Sequence, residues 1–193
     1  MSAILPLKKC DAESLDGFFS DLTQAVKNRI TENKDKELPH LAYFFIPNLS
    51  RLNPEFPGTF AMVSIPISYF LQERGVGPSD YGAAAAVFLR LFAKITNACA
   101  VIQVMEATKL AIPNTPENQP EIEKMSKREH SLQSHPQSRE VVLMTLETLV
   151  KSNVLTFEVE RQPELRFGDA VALDTTAHPL RGRFQNVLMN KPN

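Results

Sequence analysis

The stretch SDYGAAAAVFLRLFAKITNACAVIQVMEATKLA, from Ser79 to Ala111, carries the strongest pattern in this chain. Its apolar residues recur at alternating steps of three and four, so at about 100° per residue they share one arc of a helix. The members of this arc are Tyr81, Ala84, Phe88, Leu91, Ile95, Ala98, Ile102 and Met105. The spacing predicts one long central helix over 79–111.

Four polar residues of this segment form a narrow stripe opposite the arc. They are Arg90, Lys94, Asn97 and Thr108, and a helix on the surface of a globular protein normally has a broader polar face. We therefore expect the helix to be packed on at least two sides, or to present an apolar surface to a partner. The arc weakens after Met105, so a partner is expected first around residues 104–138.

The segments before this helix predict one helix and two strands. Apolar residues at steps of three and four predict a first helix over 11–32, which Asp11 can cap. The runs 41–46 and 59–65 are short, apolar and rich in aromatic and β-branched residues, which is typical of strands. Pro66 can also open a short helix that runs to Arg74.

The second half of the chain divides into a polar and an apolar part. Residues 113–138 are polar and rich in proline, which predicts an insertion or linker. A helix is expected at about 139–151, followed by a C-terminal hairpin of strands 153–161 and 166–174, with a third strand at 183–189. Together these elements predict a single α+β domain over 1–193, with two or three helices besides the central one and a small antiparallel sheet.

Composition excludes several classes of protein. The chain has 193 residues, of which 43% are hydrophobic, so it can bury a sizeable core. A formal net charge of −1 provides no global attraction for nucleic acid or an anionic membrane. No run of 18 apolar residues lacks a charge, and the N-terminus lacks the order of a signal peptide, so we expect no membrane span and a cytoplasmic protein.

The reactive residue types form no recognisable catalytic or metal-binding motif. His130 and His135 are five residues apart, a spacing that does not place two zinc ligands on one helix face. His178 has acidic neighbours but no nucleophile motif, and Cys99 lies among apolar residues, where a cysteine is usually inert. Only one other cysteine, Cys10, is present, which favours a reducing compartment. We expect no metal, no cofactor and no catalysis.

Three functional hypotheses follow from these patterns. The first is a non-catalytic interaction module, such as an adaptor, a chaperone-like factor or a structural subunit of a complex, which binds a protein partner or itself. The residues expected at its interface are Phe88, Leu91, Phe92, Ile95, Ile102, Met105, Ile122 and Met125. The second hypothesis is a nucleic-acid-associated component, and the third is a small enzyme whose site has no recognisable motif.

The nucleic-acid hypothesis depends on four arginines near the C-terminus. Arg161, Arg166, Arg181 and Arg183 could contact phosphates. Acidic residues in the same region cancel their charge, and no aromatic platform accompanies them. The sequence therefore favours a protein partner over a nucleic acid.

Overall fold

The structure is a computed structural model that describes residues 11–55, 60–110, 115–126, 136–150, 152–173 and 187–188. Its helices are α1 (Ala12–Glu32), α2 (Ile67–Gln72), α3 (Tyr81–Thr96) and α4 (Gln119–Ser126), with a short 3-10 turn at Leu49–Arg51. Its strands are β1 (Leu41–Ile46), β2 (Ala61–Pro66), β3 (Ala100–Leu110), β4 (Ser138–Thr148), β5 (Ser152–Glu160), β6 (Arg166–Phe167) and β7 (Val171–Leu173). The mixed α+β class predicted from the sequence is thus correct.

The strands form one antiparallel sheet. Its order is β2-β1-β3-β4-β5-β6, and β7 pairs with β5 beside β6. The long strands β3 and β4 lie at its centre and pair along their whole length, from Ala100 opposite Thr148 to Leu110 opposite Ser138. The sheet is therefore larger than the small sheet predicted from the sequence.

Helix α1 covers one face of the sheet. Asp11 caps its first turn, because the carboxylate accepts a 2.8 Å hydrogen bond from the backbone N–H of Ser14. Its apolar stripe packs on side chains from β1, β3, β4 and β5, including Phe45, Met144 and Phe157. The prediction of a helix over 11–32 is confirmed.

Helices α2 and α3 cover the opposite face. Their buried residues, which include Ile67 and Leu89, pack on Phe44 and Ile46 of β1 and Val101 of β3. Strands β1 and β3 are therefore sandwiched between two helical layers, so both of their faces are apolar. This double burial explains several differences between the predicted and the observed elements.

The prediction of one long helix over 79–111 is wrong, because the segment contains α3 followed by β3. Asn97 ends the helix in a left-handed conformation, with φ of 55° and its N–H directed to the carbonyls of Ala93 and Lys94. The β-branched run that follows is strand β3, which is buried on both faces. A continuous apolar run fits a helical period as easily as a strand period, so the arc through Ile102 and Met105 was accidental.

The prediction of a helix at about 139–151 is wrong for the same reason, because a continuous apolar run fits either period. This segment is strand β4. β4 has buried residues on both faces over 141–148, so its sequence shows no alternation. The partner strand predicted over 166–174 is divided into β6 and β7, because the register against β5 shifts by one residue between Phe167 and Val171.

Two predicted regions are described only in part. Within the proline-rich segment 113–138, residues 119–126 form α4, and 113–114 and 127–135 lie outside the described residues. Of the strand predicted at 183–189, only Val187 and Leu188 are described, and they form a bend. The rest of that prediction lies outside the described residues.

Candidate functional site

The outer side of α3 carries a row of exposed apolar side chains. Val87, Leu91 and Ile95 are four residues apart, and their exposed fractions are 63%, 53% and 55%. Residues at this spacing lie one above the other along a helix. They therefore form one continuous stripe, which we call the α3 stripe.

Aromatic rings anchor one side of the α3 stripe. Phe88 lies 4.6 Å from Phe70 of α2, and Phe92 lies 4.6 Å from Phe44 of β1, measured between ring centroids. The rings of Phe88 and Phe92 also stack on each other at 5.7 Å. These half-buried rings hold α3 against the sheet, so the stripe stands on a rigid support.

The other side of the α3 stripe is basic. At about 100° per residue, Arg90 and Lys94 lie beside Val87, and both are exposed. α3 contains no acidic residue. The outer surface of α3 is therefore apolar along its centre and positively charged along one edge.

The residues predicted at a protein interface fall into three groups. Leu91 and Ile95 are exposed, and Phe88 and Phe92 are half-buried beside them. Ile102 and Met105 are buried in β3, at 0% and 8% exposure, so their assignment to a surface was wrong. Ile122 is half-buried on α4, and the side chain of Met125 lies outside the described residues.

Val87 is absent from the predicted interface, although the sequence carries a signal for it. Val87 precedes Leu91 and Ile95 by four and eight residues, so a four-residue period would have found it. The predicted apolar arc is so wide that it assigns most of the helix surface to the core, which conceals this shorter row.

A cluster of charged side chains lies beyond the C-terminal end of α1. Arg161, just after β5, donates from Nε to Glu140 of β4 over 2.8 Å and from Nη2 to Glu106 of β3 over 2.6 Å. Its Nη1 donates to the backbone carbonyl of Lys34 over 2.6 Å. We call these three charged residues the Arg161 cluster.

Sheet geometry places the two carboxylates together. Glu140 lies opposite Thr108 in the β3–β4 register, so Glu106 is its diagonal neighbour on the α1 face. α1 ends before it reaches this part of the sheet, and the residues after it bring Lys34 within reach of Arg161. The cluster thus ties this loop to three strands.

Burial dominates the electrostatics of Glu106. Its side chain is 11% exposed, and this burial raises the pKa of its carboxyl, assisted by the negative charges of Glu140 and Glu37. The backbone N–H of Leu38 and the guanidinium of Arg161 act in the opposite direction. Arg161 therefore reduces, without abolishing, the cost of burying this carboxylate.

A cleft of about 770 Å³ opens beside the Arg161 cluster. Its walls are mixed in charge and polar, and besides the cluster they include Lys34, Asp35, Lys36, Glu37, Ala107, Thr108, Ser138, Gln162 and Pro163. A ligand that used Arg161 would compete with two carboxylates already bound to it. The hydrogen bonds of Arg161 therefore serve to hold parts of the fold together.

The arginines predicted to contact nucleic acid are not brought together in the described part of the chain. Arg161 is bound to Glu106 and Glu140, and Arg166 is exposed with Glu164 at 3.4 Å. Arg181 and Arg183 lie outside the described residues.

A second polar cluster is buried on the opposite face of the sheet. His40, just before β1, is 6% exposed, and its Nδ1 lies 2.8 Å from the hydroxyl of Tyr81 at the start of α3. Burial lowers the pKa of His40 to about 4, although a hydrogen bond with Gln103 opposes the shift. The imidazole is therefore neutral at physiological pH and joins α3 to the sheet.

Cys99 is joined in a disulfide bond, so the prediction of an inert free thiol is wrong. It follows Asn97 by two residues, and its backbone N–H donates to the carbonyl of Phe45 over 2.8 Å. Cys10, the other cysteine of the chain, lies outside the described residues.

The described residues contain no group of three or more His, Cys, Asp or Glu side chains that could hold a metal ion. Among the helices in the described ranges, none is both long enough and apolar enough to cross a membrane. His130, His135 and His178 lie outside those ranges.

Comparison with known proteins yields no match to a family model, a curated protein or a solved structure.

Proposed function

We propose that this protein is a non-catalytic protein-interaction module that docks a partner on the α3 stripe. The observation that carries the proposal is the exposure of Val87, Leu91 and Ile95, each more than half exposed, in one row on a supported helix. Contiguous exposed apolar surface is costly in water and usually marks a binding site.

The chemistry of the stripe specifies the kind of partner. A helix laid along α3 would fill the stripe with apolar side chains at steps of three and four. Because Arg90 and Lys94 border the stripe and α3 has no acidic residue, the partner helix would carry acidic side chains along the matching edge. We therefore propose an amphipathic, acidic-edged helix as the occupant.

The alternatives have less support. A catalytic role would need accessible reactive groups, and the strongest polar clusters, around Arg161 and His40, are engaged in hydrogen bonds within the protein. A nucleic-acid interface at Arg161 would have to displace two carboxylates. The expected cytoplasmic location rested partly on reduced cysteines, and the disulfide at Cys99 weighs against a reducing compartment.

A matched pair of peptides tests this function. One is a model helix with a leucine stripe and glutamates along one edge, and the other carries lysines in place of the glutamates. We expect fluorescence anisotropy to show that the full chain binds the acidic peptide at least about 10-fold more tightly than the basic one.

Two variants locate the binding surface. Leu91→Glu should weaken binding of the acidic peptide by about 10-fold or more, because it places a charge in the centre of the stripe. Leu149→Glu is the matched control, since Leu149 is 65% exposed but lies outside α3. Equal binding of both peptides, or an equal loss in both variants, would contradict the proposal.

A further inference from the structure

The two edges of the sheet differ in how they are protected. At one edge, β6 and β7 are separated by a register shift, β6 contains Arg166, and Asp169 lies between the two strands. Interruptions and charges of this kind prevent an edge strand from pairing with another chain. At the other edge, β2 has the sequence Ala-Met-Val-Ser-Ile-Pro, with no charged residue, and pairs without interruption with β1.

The register of β2 shows which of its backbone groups point outward. The N–H of Ile67 donates to the carbonyl of His40 over 2.8 Å, so Ile67 and His40 form a hydrogen-bonded pair. Hydrogen-bonded pairs alternate along an antiparallel ladder, so Ala61, Val63 and Ile65 also point their backbone groups toward β1. The N–H and carbonyl groups of Met62 and Ser64 therefore point away from the sheet.

Pro66 fits this assignment. It lies at an outward position, where the missing N–H costs no hydrogen bond to β1. Among the described residues, no other strand pairs with this outer side. β2 thus presents two complete donor–acceptor pairs at the edge, those of Met62 and Ser64.

We propose that β2 pairs antiparallel with β2 of a second copy of this chain, with Val63 on the twofold axis. In this register Met62 of each copy exchanges two hydrogen bonds with Ser64 of the other. A register centred on Ser64 forms fewer hydrogen bonds, because it places Pro66 opposite Met62 and the proline has no N–H to donate.

The side chains permit this pairing. No like charges meet, because β2 carries none, whereas like charges directly opposite each other destabilise a sheet. The twofold axis stands perpendicular to the sheet, so α1 of both copies lies on one face and α2 and α3 of both lie on the other. The product is a continuous sheet through the dimer.

Sedimentation equilibrium of the full chain tests the dimer, with Ser64→Pro as the disrupting variant. The proline removes two hydrogen bonds from the dimer and should weaken it about 30-fold. Ser64→Thr is the matched control and should leave the dimer intact, because it keeps the N–H. A monomeric wild-type chain, or a dimer that Leu91→Glu dissociates and Ser64→Pro does not, would overturn the proposal.

A cross-link tests the register without relying on a proline. Opposed residues in a non-hydrogen-bonded pair have Cα atoms about 4.5 Å apart, a distance that a disulfide spans. Val63→Cys should therefore form a dimer under oxidising conditions that is resolved on a non-reducing gel. Ile65→Cys points to the same face but would lie on the order of 13 Å from its mate, so it should not cross-link. Cross-linking of Ile65→Cys in place of Val63→Cys would overturn the register.

Discussion

Acidification should destabilise this protein through His40. The pKa of this imidazole is about 4 in the folded chain, against 6.5 for the ordinary side chain. The unfolded chain therefore takes up a proton at a pH where the folded chain does not, and protonation favours unfolding. The contribution of neutral His40 to the free energy of unfolding is complete above about pH 6.5. It is lost progressively as the pH falls toward 4.

The magnitude follows from the two pKa values. The full shift corresponds to about 3 kcal/mol of unfolding free energy, at about 1.4 kcal/mol for each pKa unit. Between about pH 7 and about pH 5 the loss is about 2 kcal/mol, because most of the unfolded chain is protonated there and the folded chain is not. For a domain of this size, that loss lowers the melting temperature by about 4–8 °C.

Urea unfolding followed by circular dichroism at several pH values measures this loss. His40→Gln is the control, because an amide can still hydrogen-bond to Tyr81 but does not titrate in this range. Glu106 acts in the opposite direction, since its raised pKa means that stability falls as the pH rises through it. This contribution is present in both proteins and cancels in the comparison. Equal losses in the wild type and in His40→Gln would refute the assignment to His40.

Three further predictions concern the Arg161 cluster, the α3 helix and the disulfide. Arg161→Gln should destabilise the fold by about 2–4 kcal/mol in urea unfolding, because it leaves two carboxylates without their cation, whereas exposed Arg166→Gln should cost under about 0.5 kcal/mol. Leu89→Ala should cost about 2–5 kcal/mol, since Leu89 is 0% exposed, while Leu91→Ala should cost under about 1 kcal/mol; similar costs would show that the two faces of α3 are wrongly assigned. An alkylating reagent should not label Cys99 in the denatured, unreduced chain and should label it after reduction, as peptide mass analysis would reveal, and labelling without reduction would exclude the bond.

The first helix could be predicted from its helical period, and the first two strands from their short length and the turn signals between them. α1 has one buried face and one exposed face, so its apolar residues follow the helical period. β1 and β2 are short apolar runs separated by turn signals, which excludes a long helix. In each case the local pattern and the tertiary environment agree.

The central strands could not be predicted, because their environment removes the pattern. β3 and β4 are buried on both faces, so apolar residues occupy consecutive positions and fit either period. Asn97 was the available signal, since asparagine tolerates the left-handed conformation that ends a helix. Because Asn97 also fits the polar stripe of the predicted helix, the stripe conceals this signal.

The candidate sites show a similar division. Two of the three residues of the α3 stripe could be predicted, because Leu91 and Ile95 were expected at a surface. The Arg161 cluster could not be predicted, because Glu106, Glu140 and Arg161 are far apart in sequence and meet only through the strand register. His40 had no motif to identify it, since its partner Tyr81 is 41 residues away.

By itself, the sequence from Ser79 to Ala111 determined that this segment would be apolar and that α3 would begin it, because local composition decides those properties. Only the tertiary structure decided that the segment changes from helix to strand at Asn97 and that Val87, Leu91 and Ile95 remain outside. The physical reason is that burial depends on which elements cover a side chain. Two helical layers on opposite faces of one sheet bury residues 100–105 of β3 and leave the outer side of α3 uncovered by the sheet.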